Sequence, residues 1–304
     1  MKNMIETFSA LGARLLGFGD DDATRAVIDS ACRANGWFTP ADIRRAVRAI
    51  ACDMLQREKL EAWLADYPAL PVAEPRRVLV VMAGNIPLVG FFDLLCVLVS
   101  GHGCLVKPSA KDSVLMEHVV GLLREIDPSA PVRLYDGTSP VDAVIATGSD
   151  NANRYFRAHY AGIPSLLRGS RQSVAVLSGR ETPEQLAGLA DDIWAYSGLG
   201  CRSVSLIFAP EGYEPALQIP PVNDKYINNY RQQRSLLEMQ GRPFVDLGCA
   251  VAVEQCAFPA ALSRIAYAHY ATLDEVVAWL AGHDGELQCV VTGCLPHSRR
   301  AGFG

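Results

Sequence analysis

The sequence lacks a surplus of positive charge, a long uninterrupted apolar run and a regular cysteine spacing. Its 28 Lys and Arg residues against 33 Asp and Glu residues give a net charge of −5, which argues against a dedicated nucleic-acid binder. The most apolar stretch, residues 78–106, is interrupted by Gly84, Pro87 and Asp93 among others, so no membrane span is predicted. Nine cysteines without framework spacing, and no recognisable secretory signal, predict reduced thiols and a cytoplasmic location.

The common short fingerprints of nucleotide, metal and hydrolase sites are also missing. Gly17-Phe18-Gly19 and Gly101-His102-Gly103 are not completed to G-x-G-x-x-G, and there is no P-loop, G-x-S-x-G or H-E-x-x-H. Cys289, Cys294 and His297 resemble part of a zinc site, but no second pair with suitable spacing completes four ligands. The sequence therefore predicts no metal site.

What the sequence does contain predicts an α/β protein. An apolar share of 50% in 304 residues is enough for one large or two ordinary domains. The first seventy residues read as helical, with Thr39-Pro40 as a helix start and one helix expected from there to Leu60. From residue 76, apolar β-rich runs alternate with helical patterns, which is typical of a parallel, doubly wound sheet. The expected strands are 78–82, 104–106, 132–135, 141–146, 174–177, 204–208 and 288–292, and the expected helices are 88–100, 113–126, 150–160, 182–196 and 272–282.

Two groups of residues follow predicted strands, where ligands bind in such sheets. Thr147-Gly148-Ser149 opens a helix and could hold a phosphate, although an ordinary helix cap is the alternative. Lys107 could reach a ribose or a phosphate, or could be a surface lysine. Residues 151–180 contain five arginines and no Asp or Glu: Arg154, Arg157, Arg168, Arg171 and Arg180. This local positive charge favours an anionic ligand nearby. The alternative is a solvated helix face whose arginines pair with acids elsewhere in the chain.

Cys201 is the candidate nucleophile. It lies in a predicted turn beside Gly200 and Arg202, where small neighbours allow close approach of a substrate and a cation favours the thiolate. The alternative is a buried apolar cysteine, which is the interpretation that suits most of the other eight.

Four of these motifs occur in an order that resembles the aldehyde dehydrogenase superfamily: Gly84-Asn85-Ile86-Pro87, Leu105-Val106-Lys107-Pro108-Ser109, Thr147-Gly148-Ser149 and Gly198-Leu199-Gly200-Cys201. Longer strings resemble its acyl-CoA reductase (LuxC-type) branch, strongly over residues 76–210 and weakly elsewhere. Those strings are AGNIPLVGFFDLLCVLVSGHGCLVKPSAKD, ATGSDNANRYFRAHY, RGSRQSVAVLSG and DIWAYSGLGCRSVS.

The resemblance implies an aldehyde-dehydrogenase-like fold, with a Rossmann-like cofactor domain beside a smaller catalytic α/β domain and the active site between them. The expected divisions are a helical segment at 1–75, a dinucleotide-binding domain at 76–177 and a catalytic domain at 178–304, whose C-terminal end is expected to be incomplete. By the same resemblance, Cys201 matches the catalytic thiol and Asn85 the oxyanion-hole asparagine. Lys107 matches the lysine at the adenosine ribose, with Ser109 following it. Gly148 and Ser149 match the pair that holds the pyrophosphate, and Thr147 before them is expected to belong to the same cofactor site.

Two departures from that superfamily favour a reductase that uses NADPH. Leu167 stands where hydrolytic members keep a glutamate as general base, so water-driven deacylation is disfavoured. Ala110 stands where NAD-preferring members often keep a glutamate, and Lys111 follows it, so a 2′-phosphate can be accommodated.

The function expected from this resemblance is NADPH-dependent reduction of an acyl-CoA thioester to an aldehyde through a thioester on Cys201. An aldehyde dehydrogenase, an acyl-phosphate reductase, a thiol-dependent acyltransferase and a non-catalytic acyl-holding subunit stay open as alternatives. Expected partners are acyl-CoA or another acyl thioester, and either further copies of the chain or an acyl-donor enzyme. No nucleic acid is expected as a partner.

Overall fold

Each half of the chain is built around a mainly parallel sheet. The computed structural model describes residues 2–304, and internal contacts divide the chain into two units, Met1–Gly169 and Ser170–Gly304. The first unit has a five-stranded sheet in the order β3-β2-β1-β4-β5, and the second has a seven-stranded sheet in the order β12-β11-β6-β7-β10-β9-β8. All strand pairs are parallel except β8 with β9, which confirms the predicted α/β class.

The first unit begins with helices and continues as alternating strands and helices. Its helices are α1 (Lys2–Leu16), α2 (Asp22–Ala34), α3 (Pro40–Ala49), α4 (Arg57–Ala65), α5 (Phe91–Val99), α6 (Ser113–Ile126) and α7 (Asp150–His159). Its strands are β1 (Arg77–Val81), β2 (Gly103–Lys107), β3 (Val132–Leu134), β4 (Ala143–Thr147) and β5 (Ser165–Arg168).

The expected single helix from Thr39 to Leu60 is wrong, because a π-helical turn at Ile50–Met54 divides it. In that turn the Leu55 N–H donates to the Ile50 carbonyl, five residues back, at 3.2 Å. The wider turn places Leu55 in the core, where its side chain lies against Gly12: a Cβ at Gly12 would come within 2.8 Å of the Leu55 Cβ. The start of α3 is as predicted, with the Thr39 side chain capping it and a proline in its first turn.

The first sheet is covered on both faces. Val78 and Val80 face a large apolar cluster that includes residues of α1, α2, α3, α5 and α6, with Phe8 and Phe91 in edge-to-face contact. Leu79 and Val81 face a smaller cluster with side chains of α7. Alternate burial of this kind explains why β1 is apolar at consecutive positions. In register, Val81 lies beside Lys107 of β2 and Ala146 of β4, so the segments that follow these three strands leave the same edge of the sheet.

The second unit has three long helices and two short 3₁₀ turns around its sheet. The helices are α8 (Pro183–Trp194), α9 (Asp224–Met239) and α10 (Leu273–Gly282), and the 3₁₀ turns are Ala195–Gly198 and Asp284–Glu286. The strands are β6 (Gln172–Val176), β7 (Val204–Pro210), β8 (Val245–Asp246), β9 (Val251–Glu254), β10 (Arg264–Tyr270), β11 (Leu287–Thr292) and β12 (Arg300–Ala301).

Two observations bear on the classes excluded from the sequence. Across residues 2–304, no helix is both long enough and apolar enough to cross a membrane. None of the nine cysteines, all of which lie within the described residues, forms a disulfide.

Candidate active site

The loop that carries Asn85 is held in place from two sides. The Asn35 side-chain amide donates to the Gly84 carbonyl at 3.4 Å, from 49 residues earlier in the chain. Gly84 packs directly on the loop after β2, because a Cβ at this position would lie 2.7 Å from the Ser109 Cβ. Only glycine therefore fits there, and Asn85, which is half-buried, follows immediately.

A buried carboxyl group lies under the other end of the same loop. The Asp112 Oδ2 accepts a hydrogen bond from the Leu88 N–H at 2.9 Å, and its Oδ1 has no partner among the described residues. Leu88 itself has a positive φ of 55°, a conformation that an L-residue adopts only when its surroundings impose it. Burial raises the pKa of Asp112 to about 8, against the smaller lowering effect of the Leu88 hydrogen bond.

The end of β2 presents two lysines. Lys107 and Lys111 are exposed, and neither forms an ion pair within the part of the chain that the structure describes. Ala110 between them is exposed as well, and the Ser109 hydroxyl accepts from the Lys111 N–H at 3.3 Å. This edge thus offers positive charge to an anionic ligand.

The segment Thr147-Gly148-Ser149 follows β4, the other neighbour of β1. The Ser149 side chain caps α7 by accepting from the Ala152 N–H at 3.3 Å. The Gly148 N–H donates to the Arg168 carbonyl at 3.2 Å, as part of the pairing with β5. A phosphate at this helix start would therefore have to use amides beyond Gly148.

One arginine of the acid-free segment has an acidic partner. The Arg168 Nη1 lies 2.6 Å and 2.7 Å from the two carboxylate oxygens of Asp93 on α5, and the Asp93 side chain is only 11% exposed. Of the two interpretations of these arginines, pairing with an acid elsewhere in the chain therefore holds for Arg168.

Cys201 lies at the end of a turn with an unusual backbone. Tyr196, Ser197 and Gly198 all have positive φ angles, of 53°, 56° and 64°. Such residues cost of order 1–3 kcal/mol each unless they are glycine, and they concentrate at functional sites. A Cβ at Gly198 would lie 3.2 Å from the Ile193 carbonyl oxygen, so the turn is closely packed as well. Cys201 itself is exposed, unlike Cys104, Cys249 and Cys289.

The electrostatics of the thiol differ from the sequence-based expectation. Desolvation raises the pKa of Cys201, while Arg202 and, more weakly, Arg171 lower it. Arg202 therefore lowers the pKa as expected, but desolvation has the larger effect and the net direction is upward.

A fully buried serine anchors the backbone of Cys201. The Ser173 hydroxyl donates to the Cys201 carbonyl at 2.9 Å and accepts from the Cys289 N–H at 3.2 Å. The pairing of β6 with β7 and with β11 shifts register beside Ser173. The Cys201 carbonyl and the Cys289 N–H therefore need this contact with the hydroxyl group. Ser173 thus connects the Cys201 peptide to the interior of the sheet.

The structure brings the predicted residues together within each unit. In the first unit, the loops of Asn85 and of Lys107 and Ser109 touch, and Thr147–Ser149 follow the adjacent strand. Cys201 belongs to the second unit. Sequence reasoning missed Asn35, Asp112, Asp93 and Ser173 because their partners are distant in the chain. All but Asn35 lie within the strings that carry the family resemblance, which was the one signal for them. Across residues 2–304, no group of three or more His, Cys, Asp or Glu side chains is placed to hold a metal ion.

Comparisons with known proteins point in one direction. The family model described as Acyl-CoA reductase (LuxC) matches residues 32–218. The long-chain acyl-protein thioester reductase of Vibrio harveyi is 28% identical over 174 residues, which is 51% of this chain and 36% of that protein. Long-chain acyl-protein thioester reductase 2 of Photobacterium leiognathi is 24% identical over 175 residues, 51% of this chain and 37% of that protein. The chain thus spans well under half the length of these relatives.

Solved structures identify the fold. Aldehyde dehydrogenase 21 from Physcomitrella patens, in complex with succinate, superposes with a TM-score of 0.67 at 13% identity, over 91% of this chain and 69% of that one. An aldehyde dehydrogenase from Mycobacterium tuberculosis, complexed with NAD⁺, gives 0.60 at 15% identity, over 91% and 70%. At such identities the likeness shows the fold alone, and it confirms the aldehyde-dehydrogenase-like architecture expected from the motif order.

Proposed function

The chain belongs to the acyl-CoA reductase (LuxC) family, and from this premise we propose that it reduces an acyl thioester to an aldehyde with NADPH, through a covalent thioester on Cys201. The observation that carries the proposal is the setting of Cys201: an exposed residue on a strained glycine turn whose peptide is anchored by buried Ser173. A thiol that serves only as an apolar filler has no need of this backbone.

In the acylation step, the Cys201 thiolate attacks the carbonyl carbon of the thioester. The bond between that carbon and the donor's sulfur breaks, and the donor leaves as a thiol after taking up a proton. The oxyanion formed on the way needs two hydrogen-bond donors, and we assign these to the Asn85 side-chain amide and the Cys201 N–H. The bracing of the Asn85 loop by Asn35 and Asp112 supports this assignment, because an oxyanion donor must be held in position before the reaction.

Bound NADPH would supply the hydride for the second step. When the hydride adds to the acyl carbon, the same two donors would hold the oxyanion, and the bond from that carbon to the Cys201 sulfur would break to release an aldehyde and the thiolate. The residues at the end of β2 fit such a cofactor, since Lys107 and Lys111 are exposed cations and Ala110 brings no carboxylate. We propose Lys107 and Ser109 for the phosphorylated ribose. We propose the segment Thr147, Gly148 and Ser149 for the pyrophosphate, with backbone amides beyond Gly148 as the hydrogen-bond donors.

The donor of the acyl group is proposed as acyl-CoA or an acylated protein. The relatives are named long-chain acyl-protein thioester reductases, which supports a protein donor and a long chain. The description of the family supports a CoA thioester. Assembly with further copies of this chain or with an acyl-donor enzyme is part of the proposal. A reducing, cytoplasmic compartment is part of the proposal, since the nine cysteines of the sequence follow no disulfide framework spacing.

The discriminating experiment is incubation with acyl-CoAs of graded chain length, with and without NADPH. Aldehyde is measured by derivatisation and NADPH by its absorbance. A reductase consumes one NADPH for each aldehyde formed, and it forms no aldehyde without NADPH. An acyltransferase would release the CoA thiol continuously in the presence of an amine or thiol acceptor and without NADPH, which would overturn the proposal. A non-catalytic acyl-holding subunit would take up one acyl group and stop.

Replacement of Cys201 tests the nucleophile. Cys201→Ala is expected to abolish aldehyde formation, because no thiol is left to carry the acyl group, and to leave NADPH affinity unchanged. Mass spectrometry of the wild type after mixing with acyl-CoA should find one acyl adduct, on the Cys201 peptide. Cys256→Ala is the matched control, since Cys256 is the other exposed cysteine. An adduct elsewhere, or an active Cys201→Ala variant, would contradict the assignment.

A further inference from the structure

The second unit contains two adjoining clefts that share part of their walls. The first has a volume of about 210 Å³ and the second about 240 Å³. Four residues line both of them: Pro259, Ala260, Arg264 and Ile265. We call the joined pair the Arg264 clefts. Together they reach the size of a pocket for a small molecule, roughly 300–1,000 Å³.

The Arg264 clefts carry positive charge without a compensating acid. The Arg264 Nε is buried and has no hydrogen-bond partner among the described residues, and neither Arg264 nor Arg242 forms an ion pair there. Arg242 contacts the Gln255 Oε1 at 3.5 Å. No Asp or Glu lines either cleft, and Glu254, next to Gln255 in the chain, faces His269 instead at 3.7 Å.

Such an arrangement is unfavourable for the protein alone. Desolvation lowers the pKa of Arg264, and the positive charge of Arg242 lowers it further. A partly buried cation beside a second cation is stabilised when an anion occupies the space between them. Guanidinium groups form their strongest hydrogen bonds with phosphates and carboxylates, so the clefts are suited to a ligand that carries one of these groups.

The first cleft leads to the turn that carries the proposed nucleophile. Gly198 and Ser203 line it, and Cys201 lies between them in the chain. Its wall also includes polar side chains that can hydrogen-bond an amide-containing ligand, namely those of Gln172, Ser205 and Tyr226. A ligand with an anion at one end and a thioester at the other would therefore find partners along both clefts.

We propose that the Arg264 clefts bind the phosphopantetheine arm of the thioester donor, with Arg242 and Arg264 holding its phosphate and the amide chain extending along the Cys201 turn. This inference rests on the proposed function, because it assigns the substrate arm of the same reaction. Phosphopantetheine is common to coenzyme A and to acylated carrier proteins. The clefts would then recognise the chemistry that the two donors share.

The first test measures binding without any reaction. Phosphopantetheine and pantetheine are titrated into the wild-type chain by isothermal calorimetry, and phosphopantetheine is expected to bind at least about tenfold more tightly. Arg264→Gln and Arg242→Gln should each remove most of that difference. Arg231→Gln, at an exposed arginine outside both clefts, should leave it unchanged. Because Arg242 is exposed, its variant keeps the test valid if Arg264→Gln does not fold.

The second test uses turnover with acyl-CoA, acyl-phosphopantetheine and acyl-pantetheine. In the two cleft variants, KM should rise about tenfold for the phosphorylated donors and stay constant for acyl-pantetheine and for NADPH. If only the KM of acyl-CoA increased, the clefts would bind the nucleotide part of CoA. If only the KM of NADPH increased, the clefts would belong to the cofactor site. Either result would overturn the inference. Equal wild-type affinity for phosphopantetheine and pantetheine would overturn it as well. Selective binding without any aldehyde formation would instead sink the proposed function and leave the inference standing.

Discussion

Asp112 is an acidic side chain placed where a neutral one would be more stable. It accepts the Leu88 N–H, which fixes the left-handed backbone of Leu88 three residues after Asn85, but its second oxygen lies buried without a partner among the described residues. Since its pKa in the folded chain is about 8, the carboxyl group is protonated through the neutral range. An unfolded chain would already release this proton near pH 4.

The consequence is a loss of stability as pH rises. Between about pH 4 and pH 8 the unfolded state binds fewer protons at this position than the folded state, so the free energy of unfolding falls with increasing pH. Asp112→Asn keeps an acceptor for Leu88 and cannot ionise. Relative to wild type it should gain up to several kcal/mol between pH 5 and pH 8, measured from urea unfolding midpoints. Asp112→Ala removes the acceptor and should be less stable than wild type over the same pH range. If Asp112→Asn lost stability as Asp112→Ala does, that result would contradict the raised pKa of Asp112.

Ala110 is expected to decide between the two nicotinamide cofactors. With Lys107 and Lys111 exposed and no carboxylate at 110, the 2′-phosphate of NADPH should give a preference over NADH of roughly 10- to 100-fold in kcat/KM. Ala110→Glu should shift the preference toward NADH, because a carboxylate repels that phosphate. Ala158→Glu, at the last turn of α7 and far along the helix from Ser149, adds the same charge as a control. Equal efficiency of both cofactors in the wild type would refute this prediction.

At the scale of elements, β6 is tied to the rest of its sheet by a similar pair of hydroxyl contacts at each end. Ser173 bonds the Cys201 carbonyl and the Cys289 N–H at one end. At the other end, the Thr292 hydroxyl donates to the Val176 carbonyl at 2.9 Å and accepts from the Cys294 N–H at 3.2 Å. Both hydroxyls are fully buried, and only the first contacts the peptide of Cys201, the proposed nucleophile.

This symmetry provides a matched test of a positioning role for Ser173. Ser173→Ala and Thr292→Val each leave a buried backbone group without its partner, so both should lower the free energy of unfolding by about 1–3 kcal/mol. Only Ser173→Ala should slow acylation of Cys201, with kcat reduced and KM little changed. Single-turnover acylation and the pH profile of Cys201 alkylation are the measurements. If both variants acylate at the wild-type rate, Ser173 is structural only.

The elements that the sequence predicted well are those whose own residues determine them. Residues 113–126 were expected as a helix and form α6 with those bounds, and the apolar strands β1 and β2 were found within a residue or two. The helix α9 was not expected, because its buried positions hold Tyr226, Tyr230 and Gln233 besides one leucine. The short edge strand β5 was missed since most of its residues are exposed.

The residues of the candidate site likewise divide into those that the local sequence identifies and those that it does not. Residues at strand ends and in glycine turns could be identified locally, whereas contacts such as Ser173 with Cys289, 116 residues apart, arise only when the sheet is assembled. No local pattern in either segment specifies the other.

For the whole molecule, the distribution of acidic residues leads to a prediction about the proposed acyl-enzyme. The chain has a net charge of −5, yet residues 151–180 contain no Asp or Glu. Leu167, where a hydrolytic relative would keep its base, packs as a partly buried side chain on the apolar cluster of β1 and β4. The Arg264 clefts beside the Cys201 turn are free of acids as well. Neither residues 151–180 nor the walls of the Arg264 clefts therefore supply an Asp or Glu that could activate water for attack on the proposed thioester.

A thioester on Cys201 should consequently persist until a hydride arrives. A positioned general base contributes typically 10²–10⁴ in rate, so without NADPH the acyl-enzyme should release fatty acid more slowly than it yields aldehyde with NADPH by a factor of that order. The measurement is a chase of radiolabelled acyl-enzyme, with and without NADPH, in which free acid and aldehyde are counted over time. Oxidation of an aldehyde with NADP⁺ should likewise be poor unless CoA is present. The CoA thiol can take the acyl group from Cys201 directly, so this transfer needs no base to activate water. Free acid formed as fast as aldehyde would mean that an acid outside residues 151–180 activates water, and the argument from Leu167 would fail.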